Sequence, residues 1–185
     1  MNLLPFSVVR CVGFAAFAAL TSLASMSMAA DEMLLNPKVL IVDPSLSQAQ
    51  AQVQILAARR YDSFWNSGDP ALARAALAPN FMDRSLPPGR AQGIDGPLAA
   101  AIFVRAAIPD LRCDIDQMIV TGDRVVVHLR FYGTFAGRFK DIQGKGQKVD
   151  FIATDIYRIA DGRIAENWHI EDNLTFLQQL GVVGG

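Results

Sequence analysis

Apolar positions recur near a 3.6-residue spacing through Val53, Ala57, Tyr61, Phe64 and Trp65, which gives this segment one buried helical face. Asp43 and Pro44 precede it as an N-cap and a first-turn proline, so the predicted helix runs from there to about Asn66. Gly68 suits the C-terminal cap, and Asp69-Pro70 opens a short second helix over ALARAALA that Pro79 ends. NFMDRSLPPGRAQGIDG, rich in proline and glycine, is expected to be a loop. A third helix is predicted from Gly96 to Ala107, broken before Pro109. Further upstream, KVLIV is either a short edge strand or an arm that packs on a partner.

From residue 112 the pattern changes to period two. Strands are predicted at 112–120, 124–135, 148–159 and 163 to about 171, with a closing helix over NLTFLQQL. Helices first and an antiparallel meander last make an α+β fold, its helices packed on one face of a curved sheet.

The last hairpin sets its own pairing. With Asp161-Gly162 as the turn, Ile159 faces Ile164, Tyr157 faces Glu166, Asp155 faces Trp168 and Phe151 faces Asp172. Strict alternation then puts Asp155, Glu166 and Asp172 on one face with Phe151, Tyr157, Trp168 and Ile170. Carboxylates among aromatic side chains are costly to bury, which points to a pocket wall rather than a solid core. A structural alternative stands beside this: Asp155 in an ion pair with Arg130 or Arg105, and Asp172 as the N-cap of the last helix. Asn167, His169 and Glu171 fall on the opposite face unless a bulge shifts the register.

Length, charge and cysteines narrow the class. The chain has 185 residues and a formal net charge of −1, with no basic stripe for nucleic acid. Arg10, the apolar run CVGFAAFAALTSLA and the small residues SMSMAA have the order of a secretory signal peptide cut after Ala29. The run is shorter than a membrane span requires. The expected organisation is a signal peptide at 1–29, an extension at 30–46 and one domain at 47–185, in a periplasmic or secreted protein with no membrane association once cut. Only Cys113 then remains, so no intramolecular disulfide forms. With His128 and His169 the only histidines, no metal site is expected either.

YDSFWNSGD (61–69), LAPNFMDR (77–84), PPGRAQGIDG (87–96), IPDLRCDID (108–116), GDRVVVHLRFYGTFAGRF (122–139), DIYRIADGRIAENWHIEDN (155–173) and LQQLG (177–181) occur in an order that resembles the SnoaL-like polyketide cyclases, also described as ester cyclases, of the nuclear-transport-factor-2-like superfamily. The resemblance covers roughly residues 50 to 183. It implies a cone-shaped α+β barrel, a curved antiparallel sheet wrapped around a long N-terminal helix with an apolar pocket. It implies intramolecular aldol chemistry without metal or cofactor, with Asp172 in the place of the acid–base aspartate. Trp65 and Asp83 fall where relatives line the pocket, and dimers are common in the superfamily; Val126, Ile152 and Ile156 would serve one. Two departures stand out: Phe135 occupies the place of a histidine in many relatives, and a signal peptide is foreign to a cytosolic polyketide pathway.

The expected chemistry is removal of a proton beside a carbonyl and donation of one to the developing enolate oxygen. A carboxylate in an apolar wall is a stronger base than in water. A protonated acid can stabilise the oxyanion, as in ketosteroid isomerase. Asp172 is expected as the acid–base, assisted by Asp155 or His169, with Trp168, Trp65, Phe64 and Tyr132 shaping the pocket. Arg105 either clamps an acidic substrate or pairs with a carboxylate. The alternative is an exported protein that binds an apolar small molecule without turnover.

Overall fold

The computed structural model describes residues 34–184. The expected signal peptide lies outside them. Within them no helix is long and apolar enough to cross a membrane.

The first strand, β1 (Val39–Val42), settles the role of KVLIV: it pairs in parallel with β3 (Arg112–Thr121) at the sheet edge. The end of the extension is therefore part of the domain's sheet. Next comes α1 (Gln48–Ser67), which starts later than its sequence suggests. Asp43 closes a local turn instead, accepting from the Ser45 N–H, and Ser47 caps the helix by accepting from Gln50. Gly68 ends α1 at φ 77°, where its N–H reaches the Phe64 carbonyl.

Asp69 caps the short α2 (Pro70–Ala76). The chain then forms β2 (Leu77–Asp83), although Pro79 predicts a helix stop and a loop. The strand survives because it lies at the other sheet edge, where a missing N–H costs nothing. It pairs in parallel with β8 (Arg163–Glu171) and aims Phe81 and Asp83 inward. After α3 (Asp95–Ala107), the meander proceeds through β3, β4 (Arg124–Phe135), β7 (Gln147–Ala160) and β8. A small hairpin of β5 (Arg138–Phe139) and β6 (Ile142–Gln143) interrupts it, and α4 (Asn173–Gln179) closes the chain.

The sheet order is β1-β3-β4-β7-β8-β2. The central pairs are antiparallel, as expected, but both edge strands are parallel additions and the sheet does not close into a barrel. Tyr61 and Phe64 of α1 pack into its concave face against the inward residues of β3, β4 and β7.

The β7–β8 hairpin departs from its predicted pairing after two rungs. Asp161 (φ 50°) and Gly162 (φ 72°) make the turn, and Ile159 faces Ile164. Arg158 then faces Glu166, which leaves Ala165 as a bulge; Ile164 and Ala165 are both buried. Beyond it every side chain of β8 changes face. Asp155 is opposite His169 and Tyr157 opposite Asn167, while Trp168 faces outward opposite Ile156.

Candidate active site

A cavity of about 230 Å³ lies between α1, α3, α4 and the concave side of β4, β7 and β8. One wall is apolar, with Trp65, Val104, Leu129, Phe131, Phe151 and Phe176. The other carries Asp83, Arg90, Asp155, Asn167, His169 and Glu171. Trp65 is held in place by edge-on contacts with Tyr61 and Phe131.

His169 sits between two carboxylates. Its Nε2 lies 3.0 Å from Asp83 Oδ1 and 3.1 Å from Oδ2; its Nδ1 lies 2.7 Å from Glu171 Oε1. Carboxylates only accept, so both ring nitrogens carry protons and the ring is an imidazolium. Burial alone would discharge it. The Glu171 hydrogen bond and charge, with Asp155 and Asp83, outweigh that and raise its pKa to about 9. Burial also opposes ionisation of Glu171, but its bond to His169 holds its pKa below the ordinary value. Asp83 is fixed from its own strand end: its N–H donates to Gln92, whose amide returns a bond to the Asp83 carbonyl, and Ser85 N–H donates to Oδ1. The Ser85 hydroxyl then accepts from the His169 backbone N–H.

Asp155 occupies the neighbouring rung. Its Oδ2 accepts from Asn167 Nδ2 at 3.1 Å and lies 3.1 Å from Tyr157 Oη. Tyr157 Oη is in turn 2.7 Å from Asp62 Oδ1, deep under α1. Burial raises the Asp155 pKa to about 6, an increase that His169 and the Asn167 bond restrain. Among the described residues no His, Cys, Asp and Glu cluster is arranged to hold a metal ion.

Four residues expected from sequence come together here: Trp65, Asp83, Asp155 and His169. The rest lie elsewhere. Asp172 is the N-cap of α4, its Oδ1 accepting from Thr175 N–H at 3.0 Å, and this bond keeps its pKa low. Trp168 is on the convex face beneath the Arg124 guanidinium. Tyr132 is also on that face, beside Arg130. Phe64 is buried in the core behind Trp65. Arg105 is not among the cavity-lining residues and pairs with no carboxylate among the described residues; it donates to the carbonyls of Trp65, Asn66 and Leu111 and so ties down the C-terminal end of α1. The alternative of a structural ion pair between Asp155 and Arg130 or Arg105 is not met among the described residues: Arg130 pairs with Asp150 on the outer face, and Arg105 binds backbone carbonyls. Sequence reasoning missed Asn167 and Glu171, which the bulge turns inward, and Asp62, whose helical position shows only that it neighbours Tyr61.

An aromatic cavity with an acid–base cluster at one end, inside a curved sheet wrapped on a long helix, defines a small-molecule α+β cone protein. The chain belongs to the SnoaL-like polyketide cyclase family, whose model matches residues 55–180. It is similar to the structure of a protein assigned as a polyketide cyclase from Bacillus cereus, with 40% identity, coverage of 83% of this chain and 97% of that one, and a TM-score of 0.76. TsrD from Streptomyces laurentii is 28% identical over 75% of this chain and 100% of its own, with a TM-score of 0.64. IdmH from Streptomyces antibioticus, also assigned as a polyketide cyclase, is 30% identical over 68% of this chain and 96% of its own, with a TM-score of 0.60. No match was found among curated proteins.

Proposed function

We propose that the protein is a cofactor-independent acid–base enzyme that enolises an apolar carbonyl compound, for an aldol cyclisation or an isomerisation. The observation that carries this is the pairing of Asp155 with His169 across two strands, both lining a cavity whose opposite wall is aromatic and aliphatic. Asp155 is the base. Its raised pKa makes it a better proton acceptor than an exposed carboxylate, yet it is mostly ionised at neutral pH. His169, held cationic by Asp83 and Glu171, stabilises the negative charge that develops on the substrate oxygen. Trp65, Phe131 and Phe151 present flat apolar surfaces to the carbon skeleton.

The test is exchange of α-hydrogens for solvent deuterium in a panel of apolar ketones and β-keto esters. Wild-type protein is expected to accelerate exchange in at least one, and D155N to slow it by roughly 100-fold or more. The rate rises as Asp155 ionises near pH 6 and falls as His169 loses its proton near pH 9. Equal rates for D155N and wild type would overturn the assignment. No exchange, together with tight retention of a panel compound, would favour a binding protein.

We also propose that the chain is exported and pairs as a homodimer. The leader-like order of residues 1–29 supports the first. Exposed Ile152 and Ile156 on the convex face support the second.

A further inference from the structure

Tyr157 Oη stands between two carboxyl groups, 2.7 Å from Asp62 Oδ1 and 3.1 Å from Asp155 Oδ2. A phenol has one proton and can satisfy only one of them as a donor. The other contact is a hydrogen bond only if that carboxyl brings its own proton. The surroundings decide which one does. Asp62 is 0% exposed; among the described residues its Oδ2 has no hydrogen-bond partner, and the groups that share its surroundings, Tyr157, Asp155 and Cys113, include no cation. Asp155 has the Asn167 amide and the charge of His169. An ionised Asp62 would be an uncompensated buried charge, whereas an ionised Asp155 is compensated.

We propose that Asp62 is a positioning residue: an un-ionised acid that donates its own proton to Tyr157 Oη and so directs the phenol proton to Asp155 Oδ2. Tyr157 and Asn167 then both donate to Oδ2. Oδ1 of Asp155 receives no hydrogen bond from the described residues and is the oxygen left for chemistry. The chain is a lock, not a wire. Passing the proton through to Asp155 would leave Asp62 charged at a site with nothing to balance it. The role of Asp155 toward a substrate rests on the function proposed above; the protonation of Asp62 does not.

The test needs no substrate, so its failure is distinct from failure of the proposed reaction. The full chain is labelled at its aspartate carboxyl carbons and followed by NMR from about pH 5 to about pH 9. One signal is expected to keep the un-ionised shift throughout and to vanish in D62N. The signal that vanishes in D155N should titrate near 6. In Y157F, Asp155 loses a donor to its charged form, so its midpoint rises by about one unit or more. The same variant should move the persistent un-ionised signal without making it titrate, which identifies Asp62 even if D62N does not fold. The proposal is overturned if every aspartate is ionised at the alkaline end. It is overturned equally if the un-ionised signal survives D62N, or if Y157F leaves the Asp155 midpoint where it was.

Discussion

Asp155 shows how one residue trades stability against reactivity. It is buried on a strand whose other inward residues are Val149, Phe151, Ala153, Tyr157 and Ile159, and burial is the main reason its pKa is raised from the ordinary aspartate value to about 6. A folded-state pKa above the unfolded one means that the native chain holds the proton more tightly. The stabilisation is complete below about pH 4 and is lost as pH rises through 6. Asparagine at this position cannot lose it. Between about pH 4 and about pH 8 the stability of D155N relative to wild type should therefore improve by roughly 3 kcal/mol, the equivalent of the shift at ~1.4 kcal/mol per unit. Urea denaturation of both proteins at the two pH values measures this. A gap that does not change with pH would mean that Asp155 has an ordinary pKa and is a poor choice as base.

At the scale of elements, one inserted residue decides which groups meet the cavity. The strands of the meander, the closing helix and the α+β class were legible because alternation and helical periodicity are local. The parity of β8 was not, because the Ala165 bulge follows two rungs of regular pairing. The available signal was the pair Ile164-Ala165, two consecutive apolar residues where alternation allows one. The bulge exchanges Trp168 for Asn167 and His169 on the cavity side, while Asp172 lies past the strand as the cap of α4. β2 was hidden for a related reason: Pro79 forbids a central strand but not an edge strand, and only tertiary pairing distinguishes them. As cavity residues Trp65 and Asp83 were legible through the family resemblance; helical periodicity showed only that Trp65 belongs to the apolar face of its helix. For Asp172 the structure predicts a capping role. D172A should lower the thermal unfolding midpoint modestly through the lost bond to Thr175 N–H, with turnover of any identified substrate nearly unchanged. A large fall in turnover at wild-type stability would return Asp172 to the chemistry.

The whole molecule has two faces with different occupants. The concave face is filled by α1 and by the cavity; among the described residues, the convex face of the open sheet keeps large apolar side chains exposed. There Ile152 is 45% exposed, Ile156 40% and Ile170 76%, three isoleucines on neighbouring strands. Ile152 is opposite Arg130 and Ile170 opposite Thr154, while Ile156 is opposite Val126 and Trp168, so the surface is an apolar centre with a polar rim, the composition typical of a protein interface. Burying that centre against a second copy removes apolar area from water, at roughly 25 cal/mol per Å². Two glutamates at the centre would instead be forced together across a two-fold axis, unpaired. The double variant I152E/I156E is therefore expected to sediment as a monomer where wild type sediments as a dimer. Its cavity chemistry should survive, because both side chains point away from Asp155 and His169. Sedimentation equilibrium checks the mass, and deuterium exchange of a responsive ketone checks the cavity. A wild-type monomer, or a variant that stays dimeric, would remove the convex face as the interface and leave the exposed edge strand β1 to be tested in its place.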